Sequence, residues 1–69
     1  MTTYIYKLYS LHTGDGTMFE QFEDAFETLE ESKVFGNKLK DSALSDEVGY
    51  TVYKQISDTE EENVLELYY

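Results

Sequence analysis

The spacing of apolar and polar positions divides the chain into segments of two periods. From Thr3 to Ser10 the residues alternate, with Tyr4, Tyr6 and Leu8 on one side and Ile5, Lys7 and Tyr9 on the other. This predicts a strand that is partly apolar on both faces. Residues Leu11 to Gly16 contain two of the four glycines and an Asp-Gly pair, a composition suited to the positive φ angles of a hairpin loop. Thr17 to Phe22 then alternates Met18, Glu20 and Phe22 against Phe19 and Gln21, which predicts a second strand antiparallel to the first.

From Asp24 the period becomes helical. At 100° per residue Ala25, Phe26, Leu29, Phe35, Gly36, Leu39 and Ala43 share about half the circumference, opposite Glu27, Glu30, Glu31, Asn37 and Lys38. Asp24 followed by Glu27 matches a capping box, and acids in the first half with Lys33, Lys38 and Lys40 in the second complement the helix dipole. Gly36 falls inside the apolar arc, where the lack of a side chain suits close approach to a sheet, and Val34 points away from it. The helix is expected to end within residues 41–47.

Two more alternating segments follow, Gly49 to Ile56 and Asn63 to Tyr69, around the acid-rich turn Ser57 to Glu62. They predict a second hairpin. The order is therefore β-β-α-β-β in a single α+β domain spanning residues 1–69, a four-stranded antiparallel sheet with one amphipathic helix packed on one face. A parallel pairing of Thr17–Phe22 with Gly49–Ile56, using the helix as a crossover, is the alternative.

Composition sharpens this picture. The 69 residues include seven Tyr and four Phe but no Cys and no Pro, so the core must be carried by aromatics without disulfides or thiolate metal sites. Fifteen acids against five Lys, with no Arg, give a net charge of -10 and a pI near 4.2. Such a surface repels phosphates, which argues against direct nucleic-acid binding. No apolar run is long enough to span a membrane and no signal-peptide pattern precedes the first strand, so the expectation is a soluble cytoplasmic protein.

Candidate chemistry is sparse. His12 is placed in the first loop, where it reads as structural or incidental, and no serine or threonine has a base at a recognisable spacing. Thr13-Gly14-Asp15-Gly16-Thr17 is glycine-rich, but it joins two strands and lacks the lysine of a phosphate loop. An EF-hand register would put Tyr9 or Leu11 at the first ligand position, which fails. Carboxylate pairs such as Glu27 with Glu31 lie on the face opposite the core and read as solvated charge. The expectation is a protein that is not an enzyme, with no metal and no cofactor.

Acids concentrate in two groups: Glu20, Glu23, Asp24, Glu27, Glu30 and Glu31, and then Asp58, Glu60, Glu61 and Glu62. Carboxylates repeated at a helical pitch of ~5.4 Å approximate the ~7 Å spacing of phosphates along a strand. These ten acids are the candidate partner-binding surface, and Tyr68 and Tyr69 are candidate aromatic contacts together with whichever of Tyr4/Tyr6 or Tyr9 faces outward, Tyr9 being chosen. In size, charge, missing cysteine and layout the chain resembles the small acidic inhibitors of bacteriophages, the anti-CRISPR and anti-restriction proteins. That resemblance implies an inhibitor in the host cytoplasm that occupies the basic groove of a nuclease or CRISPR surveillance complex by DNA mimicry. A second functional class is an assembly or scaffold module, in which the last strand pairs at a sheet edge with a partner or with its own copy as a homodimer. Plain solubility is the remaining reading of the acidic charge.

Overall fold

A computed structural model describes residues 4–69; the expected start of the first strand at Thr3 lies outside them. The elements are β1 (Ile5–Gly14), β2 (Thr17–Phe26), α1 (Leu29–Asp41), β3 (Glu47–Gln55) and β4 (Glu61–Tyr68), in the expected β-β-α-β-β order. They form one open antiparallel sheet in the order β2-β1-β3-β4. The direct parallel pairing considered above does not occur. β1 lies between β2 and β3 and pairs antiparallel with both, so those two strands run the same way without touching.

Both β1 and β2 are longer than their patterns suggest. The reversal between them needs only Asp15 and Gly16, whose φ angles of 52° and 79° supply the left-handed turn. Leu11 and His12, expected in the loop, belong to β1 and are buried. At the other end β2 continues through Asp24, Ala25 and Phe26, which the 100° pattern assigns to the helix. A register shift opposite Leu8 and Tyr9 makes the strand possible, because one extra residue resets the alternation and brings Phe26 opposite Tyr6. Asp24 therefore caps no helix; its carboxylate accepts a bond from the adjacent Ala25 N–H. The cap is Thr28, whose Oγ1 accepts from the Glu31 N–H at 3.2 Å. The Thr28 hydroxyl in turn donates to the Glu31 carboxylate at 3.2 Å, so the cap and its acid stand one turn later than the expected Asp24 and Glu27.

The helix lies over β1, β2 and β3, and its footprint does not extend to β4. Leu8, Tyr50 and Val52 form the buried centre, flanked by Tyr6, Phe26, Leu29, Phe35, Leu39, Val64, Leu65 and Leu67. Gly36 permits this packing: a Cβ there would fall 2.5 Å from a Tyr50 ring carbon. Val34 is exposed, as its position on the helix wheel implies. β4 is secured to β3 by pairing and by a polar bridge at its own register shift. There Asn63 Nδ2 donates to Thr51 Oγ1 at 2.6 Å, and the Thr51 hydroxyl donates to the Leu65 carbonyl at 3.1 Å.

Candidate functional site

The topology gathers most of the candidate acids at one end of the sheet. β2 runs down to Phe26 and the helix starts beside it, while β3 runs down to Gln55 and turns there into β4. Glu27, Glu30 and Glu31 thus share that end with Asp58, Glu60, Glu61 and Glu62. β2 and β4 are the opposite edges of the sheet, so the two groups flank that end from its two sides. Two ion pairs reach this group, Lys7 with Glu61 at 3.1 Å and Lys33 with Glu30 at 3.6 Å. The expected row of carboxylates along the helix is not formed. Glu27 lies in the link before the helix, Asp24 is in β2, and Glu30 and Glu31 occupy the first turn alone.

Glu20 and Glu23 have different surroundings. Glu23, half-buried at the β2 register shift, accepts a 2.8 Å bond from the Ser10 hydroxyl. Glu20 lies on the sheet face opposite the helix and accepts a 3.0 Å bond from the Tyr53 hydroxyl. That uncovered face is aromatic. Phe22 on β2, Tyr9 on β1 and Tyr53 on β3 form a continuous row, each successive pair edge-to-face with ring centroids 5.5 Å apart. Tyr68, 54% exposed, stands on the same face and donates to Glu66 at 3.0 Å. Burial, then the hydrogen bond and charge of Glu20, raise the Tyr53 hydroxyl above the usual tyrosine value, and Glu66 adds to the shift. Glu66 does the same to Tyr68, with a smaller push from Glu20. Both carboxylates therefore act on one patch. Tyr69, the third candidate aromatic, is on the helix side with its ring 6.4 Å from that of Tyr50, so it does not join Tyr9 and Tyr68.

The structure also assembles a polar group that the sequence pattern misses. Ser10 Oγ lies 2.7 Å from His12 Nε2, and His12 Nδ1 lies 3.8 Å from the Asp46 carboxylate. The imidazole stacks on Phe19, with ring planes 11° apart. This has the residue types of a nucleophilic triad, but the hydroxyl proton is committed elsewhere. A carboxylate only accepts, so Ser10 must donate to Glu23, and His12 must then donate from Nε2 to Ser10. An imidazole donating in that direction cannot take the serine proton, and Ser10 is 4% exposed. The arrangement ties β1 to β2 and to the loop before β3. Two-residue spacing along a strand is the signal that puts Ser10 and His12 on one face, and it is visible only once Leu11–Gly14 is recognised as strand.

Among the described residues no group of three or more His, Cys, Asp or Glu is placed to hold a metal ion, and no helix is long and apolar enough to cross a membrane. No protein-family model, curated protein or solved structure matches the chain.

Proposed function

We propose that this is a non-enzymatic acidic binding protein that inhibits a nucleic-acid-binding enzyme or complex, a nuclease or CRISPR surveillance complex, by occupying its basic groove. The observation that carries the reading is that the helix-start acids share one end of the sheet with Asp58, Glu60, Glu61 and Glu62. Asp58 and Glu60 belong to the β3–β4 turn, whereas Glu61 and Glu62, which the sequence pattern puts in that turn, instead begin β4. Both ends carry lysines, Lys7, Lys33 and Lys54 among the seven acids of this end and Lys38 and Lys40 among Asp15, Asp41, Asp46 and Glu47 at the other, so both ends are net negative and this one is the more so. A modest asymmetry of this kind favours approach of this end to a cationic cavity. These acids come from the end of the sheet and the first turn of the helix, in place of the helix face and Asp58–Glu62 turn expected from the sequence.

The test is capture from host lysate on the immobilised protein at about 50 mM salt, followed by challenge with duplex DNA. Mimicry predicts that DNA releases the captured proteins and that about 300 mM salt weakens capture at least ~10-fold. The combined variant E27K, E30K and E31K abolishes capture and keeps the native circular dichroism. Capture that survives both DNA and salt overturns the reading.

A second reading has one observation in its favour: β4 is an edge strand beyond the helix footprint. An assembly module would pair there, either with a partner's strand or as a homodimer. Sedimentation would then show association that moderate salt leaves unchanged.

A further inference from the structure

Among the described residues no element covers the sheet face away from the helix, yet that face carries aromatic side chains. Phe22, Met18 and Tyr68 are each more than half exposed there, around the half-buried Tyr9 and Tyr53. Leaving that area in water forgoes about 25 cal/mol for each Å² of apolar surface. Two carboxylates stand beside the rings in fixed positions, Glu20 held by the Tyr53 hydroxyl and Glu66 by the Tyr68 hydroxyl, both at 3.0 Å.

We propose that this face, centred on Phe22, Tyr9 and Tyr53 between Glu20 and Glu66, grips arginine side chains of a cationic protein partner. A guanidinium is planar: one face stacks on an aromatic ring while its edge donates to a carboxylate, and the patch offers both at once. Charge selects among occupants. A second copy would bring another ten net negative charges and its own Glu20 and Glu66 to the contact. A nucleic-acid strand, which would find rings to stack on, is repelled by the same carboxylates. The inference rests on the proposed function in that the partner is cationic; it adds that the acidic end attracts any cation at long range, and the aromatic face chooses arginine.

The experiment titrates the isotope-labelled protein with a hexa-arginine peptide and with a hexa-lysine peptide, following backbone amide shifts. The arginine peptide is expected to bind at least ~5-fold more tightly, with the largest shifts at Tyr9, Phe22, Tyr53 and Tyr68. F22A combined with Y68A, both at exposed positions, brings the two affinities within about 2-fold of each other. Replacing Glu27, Glu30 and Glu31 by lysine weakens both peptides alike. Equal affinity for the two peptides, or shifts confined to Glu27–Glu31 and Asp58–Glu62, overturns the arginine site and leaves the acidic inhibitor standing. Failure of both peptides to bind overturns both. Dilution-dependent shifts of the same face, with a dimer in sedimentation, assign it to self-association and overturn the proposal.

Discussion

A tyrosine hydroxyl keeps its proton to higher pH where water is excluded or where a carboxylate accepts its hydrogen bond. Burial does this to Tyr50 and Tyr69, and burial together with Glu20 does it to Tyr53. In the unfolded chain these groups ionise near the ordinary value of 10.0, below their folded values. Between the two, the unfolded state binds fewer protons, so stability falls as pH rises. The contribution of these hydroxyls is intact below about pH 10 and is lost as pH climbs through the folded values. Denaturant midpoints should hold near pH 8 and fall above about pH 10, with tyrosinate absorbance appearing later in the native protein than in denaturant. The loss is expected to shrink in Y53F, which has no hydroxyl to ionise. His12 belongs to the same scale: its role depends on which way one proton points between Ser10 and Glu23, and loop-like composition around it hides that strand geometry.

At the level of elements, the decisive question is where β2 stops and the helix starts. Ala25 and Phe26 satisfy both a 100° and, after one inserted residue, a 180° repeat, so periodicity alone cannot separate the two. Capping chemistry does. Thr28→Ala removes the acceptor for the Glu31 N–H and should cost about 1 kcal/mol of unfolding free energy. Asp24→Ala, at the cap suggested by sequence, should cost less than half of that, because its carboxylate bonds only the next amide in an exposed stretch. Urea unfolding of the two variants ranks them. The element order, the antiparallel hairpins, the Gly36 approach and the outward Val34 were all legible from local pattern and glycine chemistry. The register shifts were not, since a bulge is set by cross-strand partners far away in sequence.

Across the whole molecule, the candidate surface was legible in part. The two acid-rich segments are explicit in the sequence, and their meeting at one end follows from topology alone, once β3 is seen to pair with β1. Tyr68 is marked by its place near the chain end and Tyr9 only as the alternative to Tyr4 and Tyr6, while the pattern does not single out their neighbours Phe22 and Tyr53. Which face of an evenly apolar strand the helix will cover is decided by packing among all four strands. Tyr69, two residues from Leu67 on the same strand face, follows it to the helix side.

The placement of β1 between two partners also dictates how the fold opens. Each β1 amide is locked by a neighbour on one side or the other along nearly its whole length, whereas β2 and β4 each have a free flank. In deuterated solvent the margins should therefore take up label through small fluctuations, and β1 should do so only when the molecule opens as a unit. The slowest amides are expected from Tyr6 to Leu11, and protection there provides a gauge of global stability that needs no denaturant.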